Sequence, residues 1–235
     1  MTDPGELGFS NRTGRPPGRL ITLASRVLPG IRRVQGQIEP YAEFWEAHNR
    51  TALGRTGPLW IALGDSMAQG IGATTPDGGW AGRLAPALGE RWRLVNLSQY
   101  GARVDDVLDR QLPAALRLRP DLLVCLIGSN DLMQPRHQDG IGDRYARLLD
   151  RLPRGTVIGN QPGTFAAALQ VNGLIDDAVR RRGLVLAELR DPRTRHWRGK
   201  LASDRFHPND RGYAAIAEVF TEALRRAGYR PRRSG

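Results

Sequence analysis

From Leu59 onward the chain alternates between short, dense apolar runs and longer stretches whose apolar residues recur at helical spacing. The runs cover 59–63, ending at Gly64, then 93–97, 121–127, 156–159 and 184–189. The densest, 121–127, is opened by Arg119-Pro120 and closed by Gly128. Short apolar runs bounded by breakers predict strands buried on both faces. Between them the periodicity predicts helices over 81–88, 104–111, 143–152, 165–182 and 211–227. In the last of these Tyr213, Ile216, Ala217, Phe220 and Leu224 form one stripe. In the second, Val104, Val107, Leu108 and Gln111 keep helical spacing until Pro113, which interrupts it and starts a fresh turn. Strands separated by helices of this length predict an α/β fold, a central parallel sheet covered on both faces.

Upstream the pattern changes. Residues 40–53 read as a helix, with Pro40 at its first position, Gly54 as its stop, and Tyr41, Phe44, Trp45 and His48 on one face that packs onto the main domain, a lid or pocket wall being the alternative. Residues 1–19, rich in Gly, Pro and Arg, read as a disordered tail. The organisation expected is therefore a tail over 1–19, a helical extension over 20–57, a main domain over 58–228 and a basic tail over 229–235.

Composition adjusts this picture in three places. A single cysteine, Cys125, inside an apolar run, leaves no internal disulfide and no cysteine-based metal site, and reads as a small buried hydrophobe. No run approaches the roughly 20 residues of a membrane span. The stretch 20–24 is too short for a secretory core and Arg26 follows it, while the Arg32-Arg33 pair precedes no apolar segment, so a cytoplasmic protein is expected. The net charge of +11 raises nucleic acid or an anionic surface as partners. Lys200 is, however, the only lysine among the 35 basic residues, a skew that matches a genome-wide arginine bias. Without a nucleic-acid motif or interleaved aromatics, nucleic acid is disfavoured, and peripheral contact with anionic surfaces stays open.

In open parallel sheets ligands bind beyond the carboxyl ends of the strands. Ser66 follows the first strand, Tyr100-Gly101 the second and Asn130 the third, so three polar loops converge on one edge. A serine hydroxyl needs a base oriented by a third group before it attacks a carbonyl. Of the four histidines only His207 has a carboxylate at a suitable spacing, Asp204, on a turn that Pro208 keeps out of the following helix. His48 and His137 have no supporting constellation, and His196 precedes the Asp204 turn closely enough to contact substrate. Asp65 and Asp131 flank this chemistry without a ligand cluster around them, which favours hydrogen bonding within their loops over a metal site. Ser98 and Ser129 read as loop formers.

These residues fall in four ordered blocks that resemble the SGNH (GDSL-like) hydrolases: GDSM at 64–67, NLSQYGARVDDVL at 96–108, LIGSNDLM at 126–133 and DRFHPNDRGY at 204–213. The resemblance spans 59–224 and implies a three-layer α/β/α, flavodoxin-like SGNH hydrolase fold. It implies Ser66, Asp204 and His207 as catalytic residues and an oxyanion hole from the Ser66 and Gly101 N–H groups and the Asn130 amide. It also implies a small-molecule ester substrate, cleaved without metal or cofactor through an acyl-enzyme. Met67 departs from the leucine usual in the first block. Tyr100 stands where the family carries a small residue. As a substrate-pocket candidate it either shortens the acyl channel, which points to short-chain esters, or donates a hydrogen bond at the oxyanion site, or stands at the pocket rim facing solvent. Acyl transfer, thioester or lysophospholipid cleavage on the same machinery remain open alternatives, as does a non-catalytic protein bound to anionic surfaces.

Overall fold

The apolar runs assemble into one five-stranded, wholly parallel sheet in the order β2-β1-β3-β4-β5. The computed structural model describes residues 8–15, Ser25 and 27–229. Most of both expected tails and the stretch 20–24 lie outside the described residues. Its main elements are α1 (Pro29–Gln35), α2 (Ile38–Leu53), β1 (Leu59–Gly64), α3 (Ser66–Gln69), α4 (Trp80–Leu88), β2 (Arg93–Asn96), α5 (Val104–Asp106), a π-turn (Val107–Gln111), α6 (Leu112–Arg117), β3 (Leu122–Leu126), α7 (Ser129–Leu132), α8 (Ile141–Arg151), β4 (Val157–Gly159), α9 (Ala166–Arg182), β5 (Val185–Ala187), α10 (Pro192–Arg195) and α11 (Asp210–Arg226). Among the described residues no helix is long and apolar enough to cross a membrane.

Every residue of the central strands β1 and β3 is buried, which is why they read as unbroken apolar runs rather than alternating ones. The two-residue side-chain period divides them between two layers. Leu59, Ile61 and Leu63 pack with Leu112, Tyr145, Leu148, Val171 and Ile175 from α6, α8 and α9. Trp60 and Ala62 face the other way, into Trp80, Leu84, Tyr213 and Phe220 from α4 and α11. There the Trp80 and Phe220 rings stack with centroids 4.8 Å apart. Register is continuous across the sheet, with Trp60 opposite Leu122 and Ile158 opposite both Cys125 and Leu186. Cys125 is buried, and burial pushes its thiol up to about 12.

The structure alters three expectations. Helix α2 begins at Ile38, placing Pro40 third; a proline fits there because first-turn N–H groups have no helical acceptor. Pro113 does not restart the helix. The wider π-turn just before it absorbs the proline, so the helical path continues from Val104 to Arg117. Residues 8–15, read as part of a disordered tail, instead lie along the edge of the sheet. Asn11 is 1 % exposed and donates to the carbonyls of Asn96 and Ser98, both at 2.8 Å. Arg12 pairs with Glu39, Glu43 and Glu46, one acidic face of α2.

The extension belongs to the same core. Trp45 of α2 is fully buried in the α4/α11 layer and donates from Nε1 to the Gln69 carbonyl at 3.0 Å. Asn49 treats edge strand β2 as a neighbouring strand would: its Oδ1 accepts from Asn96 N and its Nδ2 donates to Asn96 O, both at 2.8 Å. Backbone groups that an edge would leave open are thereby satisfied.

Candidate active site

The strand order reverses direction between β1 and β3, and the loops after these strands open the crevice expected of such a sheet. Gly64 ends β1 so close to β3 that a Cβ there would lie 2.5 Å from the Leu126 carbonyl oxygen. Asp65 then caps α3, its Oδ1 accepting from Met67 N at 2.9 Å. Ser66 consequently occupies the first turn of a helix, where its N–H has no helical acceptor. Among the described residues neither the Ser66 nor the Gly101 N–H donates to a protein group.

Ser66, Asp204 and His207 are brought together. His207 Nε2 lies 3.0 Å from Ser66 Oγ and Nδ1 2.6 Å from Asp204 Oδ2. Ser66 and His207 are only 3 % and 4 % exposed, so the pair is shielded from water. The turn that holds them depends on Arg205 in left-handed backbone (φ 57), which folds the chain so that the Phe206 and His207 N–H groups both donate to Asp204 Oδ1, at 3.0 and 3.1 Å. Burial raises the Asp204 carboxyl, but the hydrogen bond and charge of His207, aided by the two N–H groups, outweigh it and leave Asp204 below its ordinary value. A bridge between Leu201 and Pro208 and the Ala202 N–H on the His207 carbonyl, at 2.8 Å, secure the backbone on either side.

Asn130 sits in the first turn of α7, its amide nitrogen donating to the Ala102 carbonyl at 2.9 Å and, at a long 3.5 Å, to Asp65 Oδ2. Gly101 has φ 69 and nothing within 4 Å of where a Cβ would stand. Its glycine character therefore answers to backbone conformation rather than to crowding. Asp65 and Asp131 act within their loops. Asp65 Oδ2 accepts from Ser129 Oγ at 2.5 Å, tying the Ser66 loop to the Asn130 loop, and burial raises its carboxyl above the ordinary value. Asp131 accepts from Val104 N at 3.2 Å and is pushed up to about 6 by burial. Ser98 closes the β2 loop by donating to Asn96 Oδ1 at 2.6 Å. None of His48, His137 and His196 is hydrogen-bonded to Ser66; His137 makes a 3.4 Å contact with the Asn130 carbonyl.

Two cavities of about 450 Å³ each meet at His207. The first is the more polar of the two and carries several arginines; it contains Ser66, Gly101, Asn130 and Asp204, together with Tyr100, Thr13, Gln35, Arg103 and Arg136. The second is apolar, walled by Met67, Leu126, Leu132, Leu189, Trp197 and Ile216. Met133, Phe206 and His207 line both. Tyr100 borders only the first. Its hydroxyl accepts from Gln35 Nε2 at 3.0 Å and its ring packs with Val34, Tyr41 and Ile71, so it leans on the extension and does not narrow the apolar cavity. His196 lines neither cavity.

Sequence reasoning missed Gln111. Its buried amide clasps the Gly64 backbone, accepting from N and donating to O at 2.8 Å each, one residue before Asp65. The signal was present, a polar residue at a core position of an apolar helix face. Thr13, Gln35 and the apolar cavity had no local signal, because their partners are distant in sequence.

Residues 62–215 match the GDSL-like Lipase/Acylhydrolase family. A comparison with curated proteins gives no match. Among solved structures, the lipase/acylhydrolase from Enterococcus faecalis is similar at 16% identity and a TM-score of 0.58, covering 76% of this chain and 100% of its own. The family 3 carbohydrate esterase of Clostridium thermocellum gives 16% identity and 0.57, covering 74% and 100%. An acetylxylan esterase from Geobacillus stearothermophilus gives 18% and 0.54, covering 74% and 95%. At these identities the likeness is one of fold.

Proposed function

The chain belongs to the GDSL-like lipase/acylhydrolase family and is an ester-hydrolysing enzyme, and on that premise we propose that it works through an acyl-enzyme formed on Ser66. One observation carries this reading: a single imidazole, His207, contacts Ser66 Oγ through Nε2 and Asp204 through Nδ1. With Nδ1–H donated to Asp204, Nε2 takes the Ser66 proton as Oγ attacks the ester carbonyl. Asp204 holds that tautomer and offsets the charge of the imidazolium that forms. The carbonyl oxygen becomes an anion, received by the free N–H groups of Ser66 and Gly101 and by the Asn130 amide, which exchanges its long 3.5 Å contact with Asp65 for the oxyanion. Collapse expels the alcohol, protonated by His207. Water then repeats the sequence on the acyl-enzyme and restores Ser66.

We place the alcohol in the polar cavity and the acyl chain in the apolar one. The expectation of short-chain esters rested on Tyr100 shortening the acyl channel, and the phenol stands on the alcohol side instead. Each methylene that enters an apolar pocket contributes about 0.8 kcal/mol, roughly a fourfold gain in kcat/KM. A p-nitrophenyl ester series from acetyl to octanoyl should therefore rise steeply before levelling. The profile of Tyr100→Ser should run parallel to it. A maximum at acetyl, or a profile that Tyr100→Ser extends to longer chains, would return the acyl limit to Tyr100.

A further inference from the structure

Residues 8–15 precede the segment that matches the family, which begins at residue 62, yet they are bonded directly to the loop carrying Gly101. Asn11 donates to the Asn96 and Ser98 carbonyls, and Gln99 Nε2 returns bonds to the Ser10 and Arg12 carbonyls at 2.7 and 2.8 Å. Beyond them the Arg15 guanidinium forms a two-pronged pair with buried Asp106, at 2.6 and 2.7 Å. Between these anchors Thr13 Oγ donates to the Tyr100 carbonyl oxygen at 3.1 Å.

That carbonyl and the Gly101 N–H belong to one planar peptide unit. A donor held on the oxygen fixes the rotation of the whole plane, and so the direction of the N–H. It also polarises the unit, which strengthens the N–H as a donor. Such a hold is needed here. Gly101 has φ 69 and open space where a Cβ would be, so packing on its own side chain cannot prevent the peptide from rotating.

We propose that Thr13 is a positioning residue for the oxyanion site, acting through the Tyr100–Gly101 peptide. The proposal rests on the reading of the Gly101 N–H as an oxyanion donor on a Ser66-dependent enzyme. Thr13→Val keeps the shape and removes the hydroxyl. It should lower kcat by roughly five- to tenfold with KM unchanged, the effect of one lost hydrogen bond felt in the transition state. Affinity for a trifluoromethyl ketone, whose adduct with the serine places an oxyanion in the same site, should fall by the same factor as kcat/KM. Thr13→Ser should stay within about twofold of wild type, since it retains the donor. Thr13 is partly exposed; should Thr13→Val fail to fold, Thr13→Ala carries the same comparison. An unchanged kcat in the hydroxyl-free variants, a rise in KM alone, or equal losses in Thr13→Ser and Thr13→Val would each overturn the proposal. Hydrolysis persisting in Ser66→Ala would instead overturn the reading beneath it, so the two failures are distinct.

Discussion

Ser66→Ala should reduce ester hydrolysis by about five to six orders of magnitude while leaving the fold and its melting temperature unchanged. The size follows from serine hydrolases in which nucleophile and base act as one unit. Among the described residues the Ser66 side chain is hydrogen-bonded only to His207, so its removal breaks no other hydrogen bond there. His207→Ala should lose about as much, and the double variant no more than either, because neither group works without the other. Asp204→Asn should cost about 10⁴, since an amide stabilises the wrong imidazole tautomer. Initial rates on a p-nitrophenyl ester check all of these. More than a few per cent of activity in Ser66→Ala, or losses in the double variant that multiply, would contradict the triad.

Asn130→Ala carries the next largest expected loss. Removing one donor to the oxyanion costs about 10²–10³ in kcat, and KM should scarcely move because the charge develops only in the transition state. The substitution also frees the Ala102 carbonyl that Asn130 satisfies at 2.9 Å, so a thermal melt should accompany the kinetics. A stable variant whose kcat falls less than about threefold would remove Asn130 from the oxyanion site.

How far the sequence carried depends on the range of the interaction concerned. β1 and β3 were legible because central parallel strands are buried on both faces and leave an unbroken apolar run. The spacing of Asp204 and His207 was legible because one turn holds both. The placement of residues 8–15 was not. Their Gly and Arg content is that of a free tail, and the carboxylates awaiting Arg12 and Arg15 lie far along the chain at Glu39, Glu46 and Asp106. Tyr100 was read as an acyl-channel residue because it stands where the family carries a small residue. What decides its direction is Gln35 on the extension, a contact that no local pattern encodes. Pro113 misled for a different reason: a helix can widen by one π-turn instead of ending.

The most direct test is to label the protein with a fluorophosphonate and locate the adduct by peptide mass spectrometry. Covalent attack on Oγ by way of His207 predicts one adduct per chain, carried by the peptide containing Ser66, absent in Ser66→Ala and strongly slowed in His207→Ala. An adduct on another residue, or undiminished labelling of Ser66→Ala, would contradict Ser66 as the nucleophile.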